Sequence, residues 1–122
     1  MKIVILFSLI FSVNLYAKTV DGTISYKKAK SNDTLFIIAR KMGVHFGPPV
    51  AVKKITSPTF PLKFKLGPEN VMIRGVPFKG PFTISAKLSP TGNALDRSGP
   101  SGQTPQDTPI YNGDKDVKIE LN

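Results

Sequence analysis

The sequence predicts an all-β protein, a small antiparallel β-sandwich of about six to seven strands. Apolar residues recur along the chain with period two, as in half-buried strands, far more often than with a helical period. The stretches between these runs carry turn residues, and the 122 residues include 11 Pro and 10 Gly. Short alternating strands separated by such turns are typical of two packed sheets.

The N-terminal segment, residues 1–17, is predicted to be a secretory signal helix. It reads MKIVILFSLIFSVNLYA, with Lys2 before an apolar run over residues 3–13 and the small residue Ala17 at its end. The run is shorter than the ~20 residues that span a membrane comfortably. We therefore expect a single domain over residues 18–122, periplasmic or secreted after signal cleavage. An uncleaved N-terminal membrane anchor is the alternative.

The exported part of the chain is strongly basic and lacks cysteine. The whole chain has 17 Lys and Arg against 8 Asp and Glu, and loss of Lys2 leaves 16 against 8, a net charge of +8. Export argues against a nucleic-acid partner, so the charge indicates an acidic protein segment, an anionic membrane surface or solubility alone. Without Cys the chain can form no disulfide and perform no thiol exchange.

Four runs alternate apolar and polar residues and are predicted to be half-buried strands. They cover residues 20–26, 61–66, 82–88 and 117–121. In the second run we expect Leu62, Phe64 and Leu66 to face the core while Lys63 and Lys65 face water.

Two further runs have a different pattern. Residues 34–40, TLFIIAR, are apolar on both faces and predict a central strand covered on both sides, with Phe36 in the core. Phe82 is assigned to the core as well. Residues 50–55 are intermediate in pattern. Only residues 40–45 resemble a short helical turn, closed by Gly43 and Pro48.

The stretch KLSPTGNALDRSGPSGQTP, which follows the predicted strand 82–88, divides into two parts. Over residues 89–94 we expect an ordered turn in which Gly92 adopts a positive φ and the Asn93 side chain bonds to nearby backbone. Residues 95–109 hold a single large apolar residue among several Gly and Pro, and are predicted to form a mobile connection.

The sequence offers little that could perform catalysis. His45 is the sole histidine, so a metal site would need Met42, Met72 or carboxylates to complete it. No GxSxG motif frames a serine, and no glycine pattern for cradling phosphate occurs. We therefore predict no catalytic residue, no metal and no cofactor. The function is expected to be binding rather than enzymatic.

Three segments in order resemble a known family. Residues 32–40, NDTLFIIAR, residues 47–54, GPPVAVKK, and residues 84–94, ISAKLSPTGNA, are similar to the C-terminal periplasmic domain of the cytochrome c-type biogenesis family CcmH/CcmI, also called CycH. The correspondence runs from about Val20 to Asn122. The resemblance implies a role in cytochrome c maturation, in which larger members of the family capture apocytochrome before haem ligation.

The candidate partner-binding residues lie in and beside these family-like segments. Basic side chains on one rim would receive an acidic or carboxylate-bearing peptide. The alternative is that they form a solvated strand face. Pro48 and Pro49 either hold the chain extended beside that rim or end the preceding turn. The turn at 89–94 either contacts the partner or only joins strands. The candidates are Arg40, Pro48, Pro49, Lys53, Lys87, Ser89, Gly92 and Asn93, with Lys54 as a further basic neighbour.

Two functions of different classes follow. The favoured one is an exported, chaperone-like accessory module of cytochrome c maturation that binds apocytochrome c or a haem-ligation component. The alternative is a structural or membrane-surface-associated periplasmic sandwich whose positive charge holds it near anionic lipid, with an unrelated partner.

Overall fold

The computed structural model describes residues 18–122. The predicted signal helix, residues 1–17, lies outside the described residues. The described part contains seven strands and one single-turn 3-10 helix at Pro68–Asn70, between the fourth and fifth strands. The strands are β1 (Val20–Ser25), β2 (Thr34–Lys41), β3 (Ala51–Thr56), β4 (Leu62–Leu66), β5 (Phe82–Ser89), β6 (Ser101–Gln103) and β7 (Val117–Glu120).

The strands form two sheets, which confirms the predicted all-β sandwich. The smaller sheet has the order β4-β1-β7 and the larger sheet the order β3-β2-β5-β6. All pairs are antiparallel except β1 with β7, which run parallel from Gly22 opposite Val117 to Ser25 opposite Glu120. This pair differs from the antiparallel expectation. Because β7 arrives after a long connection rather than a hairpin turn, its direction is not set by a local turn.

The core lies between the two sheets. Its side chains come from alternating positions of each strand, as the period-two pattern predicts. In β4, Phe64 and Leu66 are buried while Lys63 and Lys65 are exposed. The principal core residues are Val20, Ile24, Leu35, Ile37, Ala39, Phe64, Leu66, Phe82, Ile84, Ala86, Leu88, Val117 and Ile119.

β2 is the central strand of the larger sheet and is covered on both faces, as predicted. Leu35 and Ile37 are fully buried in the core, and Phe36 is only 5% exposed. Phe36 nevertheless stands outside the core cluster. Since successive side chains of a strand alternate between faces, Phe36 is buried on the outer face of the larger sheet. The predicted burial of Phe36 is therefore confirmed, although it lies on the outer face rather than between the sheets, and the assignment of Phe82 to the core is confirmed as well.

Two local predictions are wrong. Residues 40–45 form no helical turn, because Arg40 and Lys41 still pair with Thr83 and Phe82 in the β2–β5 ladder. The connection at 95–109 contains strand β6 and a buried Thr104. A side chain at Gly102 would overlap the carbonyl oxygen of Glu120, so glycine here permits the close approach of β6 to β7. In the sequence alone, Gly102 among its Gly and Pro neighbours predicts a loop.

Candidate functional site

An apolar floor lies on the outer face of the larger sheet. Ile38 of β2 lies beside Val52 of β3, two residue pairs along the ladder from Phe36 and on the same face. Together with two loop segments these side chains line a groove of about 620 Å³. We call it the outer groove. Its apolar lining consists of Phe36, Ile38, Pro49, Val52, Val71, Met72, Ala94 and Leu95.

The two walls of the outer groove come from segments that are far apart in the sequence. One wall follows the 3-10 helix, where Val71 bridges to Ala51 and the Met72 N–H donates to the Val50 carbonyl at 3.1 Å. The other wall carries Leu95, which is 84% exposed. An exposed leucine beside a buried aromatic floor presents apolar surface that an incoming side chain can cover.

Positive charge surrounds this apolar lining. Lys54 and Lys87 are the cross-strand neighbours of Phe36, one on each side. Arg40 and Arg97 also line the groove, and Glu69 is its one acidic lining residue. The four basic groups therefore outnumber the acidic group, which favours a ligand that carries carboxylates.

Lys87 lies in a crowded cationic environment. Partial burial is the main cause that lowers the pKa of Lys87 below its ordinary value, and the charges of Arg97 and Arg40 lower it further. The Asp96 carboxylate acts in the opposite direction. A carboxylate brought into the groove would oppose this repulsion and raise the pKa of Lys87 again.

The Asp96 carboxylate is held in the loop that carries Leu95. It accepts bonds from the Ser98 N–H at 2.9 Å and the Ser98 hydroxyl at 2.7 Å, and from the Thr91 hydroxyl at 2.8 Å. These bonds, led by the Ser98 N–H, lower the pKa of Asp96 to about 2. The loop therefore keeps its internal bonding throughout the physiological pH range, since a carboxylate of depressed pKa loses this stabilisation only in strong acid.

The turn before this loop has the predicted geometry. Gly92 has a φ of 78°, and the Asn93 side chain accepts a bond from the Leu95 N–H at 2.9 Å. Ser89 is fully buried, and its hydroxyl donates to the Asn93 carbonyl at 2.8 Å. These three residues are absent from the groove lining. Their bonds position the wall at Leu95.

The remaining sequence candidates separate into two groups. Arg40, Pro49, Lys54 and Lys87 line the outer groove, whereas Pro48 does not. Lys53 lies toward the smaller sheet, where its ammonium group is 3.4 Å from the Lys65 carbonyl. Lys53 and Lys54 are adjacent in β3, so the pleat sends them to opposite faces and only one can join the groove.

Arg40 has a second task beside the groove. Its guanidinium donates to the Gly47 carbonyl at 2.7 Å and thereby anchors the loop between β2 and β3. Charge reversal at Arg40 would disturb this loop as well as the groove.

Sequence reasoning missed Arg97, Leu95 and Met72 as groove residues. Met72, considered above as a metal ligand, is 56% exposed. Leu95 carried a usable signal, because a single large apolar residue in an otherwise polar, Gly- and Pro-rich stretch has no core neighbours of its own. Arg97 and Met72 have no sequence signal that would place them in the groove, because only the folded loops bring them to the sheet.

Within residues 18–122 no group of three or more His, Cys, Asp and Glu residues is arranged to hold a metal ion. The same part of the chain has no helix of the length and apolarity needed to cross a membrane.

Fold and groove together describe a two-sheet β-sandwich of the immunoglobulin-like class with an apolar, positively charged groove on the outer face of one sheet. The chain belongs to the family of the cytochrome c-type biogenesis protein H Ig-like domain, whose model matches residues 16–122. This confirms the resemblance carried by the three sequence segments. The family is a periplasm-facing component of cytochrome c biogenesis.

One solved structure shares the fold. It is an alternative pilotin from the type II secretion system of Vibrio cholerae, with a TM-score of 0.50 and 17% identity, covering 86% of this chain and 95% of that chain. At this identity the likeness concerns the fold alone. Among the curated proteins, none matches the chain.

Proposed function

We propose that this protein is a non-enzymatic, chaperone-like binding module of cytochrome c maturation. It acts after export to the periplasm and holds an extended segment of apocytochrome c, or of a haem-ligation component, in the outer groove. Membership of the cytochrome c biogenesis family supports the process. The outer groove supports polypeptide as the ligand.

The observation that carries the proposal is an apolar floor bordered by cations. Phe36 lies between Lys54 and Lys87 in the register of the sheet. An extended peptide presents every second side chain to a surface, so an apolar side chain meets the floor at Phe36 while carboxylates two residues away, on the same face of the peptide, reach the two ammonium groups. Folded proteins seldom present such segments, whereas an unfolded apoprotein does.

The absence of cysteine from the chain suits this task. Haem ligation requires that the apocytochrome thiols stay reduced and unpaired, and a partner without thiols cannot form a mixed disulfide with them. The protein would hold the segment without reacting with it.

A binding assay with reduced apocytochrome c tests the proposal. Residues 18–122, which contain both sheets and the whole described core, would be titrated against fluorescently labelled apocytochrome c and followed by anisotropy. Folded holocytochrome c is the ligand control. We expect binding to the apoprotein and much weaker binding to the folded form.

Charge reversal on the two faces locates the site. Lys54→Glu with Lys87→Glu should weaken binding at least about tenfold, because two charge-assisted contacts become repulsive. Lys63→Glu with Lys118→Glu makes the same change in net charge on the smaller sheet, where both residues flank Thr23. Equal weakening by the two variants would remove the outer groove from consideration.

A second variant tests the apolar part separately. Leu95→Ser removes the exposed wall without touching a charge, and its exposure makes loss of folding an unlikely cause of any effect. We expect the affinity for the apoprotein to fall about fivefold, because the serine side chain buries less apolar surface against the ligand than Leu95 does. Unchanged affinity would show that the groove walls make no contact with the ligand.

A further inference from the structure

Two long loops emerge at the same end of the sandwich. They cover residues 42–50, after β2, and residues 71–81, before β5. The Met42 N–H donates to the Pro81 carbonyl at 3.0 Å, and the Lys41 ammonium donates to the Lys79 carbonyl at 2.7 Å. These bonds tie the two loops into one surface.

The loops expose large apolar side chains. Phe46 is 88% exposed and Val44 49% in the first loop, while Ile73 is 45% and Val76 37% exposed in the second. Single exposed apolar residues are ordinary, but these four represent most of the large hydrophobic side chains exposed in the described chain. We call these four residues, together with the basic residues Lys41, Arg74 and Lys79, the tip surface.

The charge of the two loops is of one sign. Lys41, Arg74 and Lys79 are basic, and residues 41–50 and 71–81 contain no Asp or Glu. Apolar side chains beside cations, without carboxylates, complement the interface of an anionic bilayer. An acidic protein would match the same charges, and the vesicle assay below distinguishes it from a bilayer, because only a bilayer carries the protein in flotation.

The described chain also starts at this end. The Gly113 N–H donates to the Thr19 carbonyl at 2.8 Å, and the Gly80 N–H donates to the Asn112 side chain at 2.9 Å, so the start of the chain and the second loop flank the same segment. The apolar run of residues 3–13 lies shortly before Lys18 in the sequence. Thr19, at the start of the described residues, is therefore joined to the second loop through Asn112 and Gly113.

We propose that the tip surface docks on an anionic lipid bilayer. Phe46 and Ile73 enter the boundary between headgroups and acyl chains, and Lys41, Arg74 and Lys79 contact lipid phosphates. The proposal does not depend on a ligand in the outer groove, which lies on the outer face of the larger sheet. Three groove residues, Pro49, Val71 and Met72, lie in the same two loops but are not part of the tip surface, and the groove floor at Phe36 and Ile38 lies on the face of the sheet.

Vesicle flotation of residues 18–122 tests the docking surface without the N-terminal segment. Vesicles of equal parts phosphatidylglycerol and phosphatidylcholine should carry the protein at low salt, and vesicles of phosphatidylcholine alone should carry much less. Arg74→Glu with Lys79→Glu should reduce partitioning at least about tenfold. Lys63→Glu with Lys118→Glu, on the smaller sheet, should reduce it far less.

A pair of matched single variants tests the apolar contribution. Phe46→Ser should reduce partitioning several-fold, while Leu95→Ser, of similar exposure but in the outer groove, should leave it unchanged. Thermal unfolding checks that both variants stay folded. Absence of flotation by the unaltered protein, or equal losses for the tip variants and their controls, would overturn the proposal, and the apocytochrome assay would be unaffected by that result.

Discussion

Thr104 shows how a single polar residue extends the edge of the larger sheet. It is 2% exposed, and its hydroxyl oxygen accepts the Ile84 N–H at 3.1 Å. Its own N–H donates to the Ile84 carbonyl at 2.8 Å. Both backbone groups of Ile84 are thus satisfied by one residue beyond the end of β6. Within residues 18–122 no buried side-chain nitrogen or oxygen is left without a partner.

Thr104→Val is expected to destabilise the protein by about 1–3 kcal/mol, because the buried Ile84 N–H loses its acceptor while the volume is conserved. Thr104→Ser keeps the hydroxyl and loses one methyl group. Amide hydrogen exchange at Ile84 separates loss of the hydrogen bond from loss of the methyl group. In the valine variant the Ile84 amide should exchange faster than global unfolding alone allows. In the serine variant its exchange should follow global unfolding. Equal protection of Ile84 in both would contradict the assigned hydrogen bond.

At the level of elements, β2 performs two tasks with one run of residues. Leu35, Ile37 and Ala39 belong to the core between the sheets. Phe36, Ile38 and Arg40, at the intervening positions, line the outer groove. A continuous apolar strand is usually buried under a second layer. Here the second layer is only a pair of loop walls, so part of the outer face stays open to a ligand.

β1 is the element on which the smaller sheet depends. It lies between β4 and β7, and Gly22 is opposite Phe64 on one side and Val117 on the other. A Cβ atom at Gly22 would overlap the carbonyl oxygen of Val117 and lie 2.8 Å from the Phe64 ring. Close approach of the three strands therefore requires glycine at this position.

Gly22→Ala is expected to lower the free energy of unfolding by about 1–3 kcal/mol, since either the β1–β7 pairing or the Phe64 ring must shift. Thr23→Ala, at the next position and on the opposite face, is the control and should cost much less. Urea unfolding monitored by circular dichroism measures both. A neutral Gly22→Ala variant would show that β7 has room to move away from β1.

At the scale of the whole molecule, the two proposed surfaces use different residues, although Pro49, Val71 and Met72 of the outer groove lie in the two loops that carry the tip surface. The outer groove lies across the larger sheet, and the tip surface lies at the end where the β2–β3 and 71–81 loops meet. Both carry positive charge, so both interactions should weaken as salt increases. Their separation predicts that each can be removed without the other.

Two charge-reversal variants should therefore show opposite defects. Lys54→Glu with Lys87→Glu should lose apocytochrome binding and retain vesicle flotation, while Arg74→Glu with Lys79→Glu should do the reverse. Assays run in the same buffer give the comparison, with Lys63→Glu and Lys118→Glu reporting the general effect of net charge. Parallel losses in both assays would indicate that long-range charge, rather than two local surfaces, governs binding.

The sequence alone determined the strands whose burial follows a local pattern. Alternation in 61–66 and the apolar run of 34–40 were sufficient to predict β4 and the central β2, because the side-chain period of a strand is set by its own backbone. The geometry at Gly92 and Asn93 was predictable for the same reason, since the turn depends on residues that are neighbours in the chain. The ordered family-like segments predicted the family.

Only the tertiary structure decided which surfaces exist. β6 forms because β5 and β7 lie beside it, and the parallel direction of β7 depends on the path of a long connection. Lys54 and Lys53 look equivalent in sequence, yet pairing of β3 with β2 sends one into the outer groove and the other toward the smaller sheet. Pairing, register and loop position arise from contacts between residues distant in the chain, and such contacts leave no period in the sequence that could reveal them.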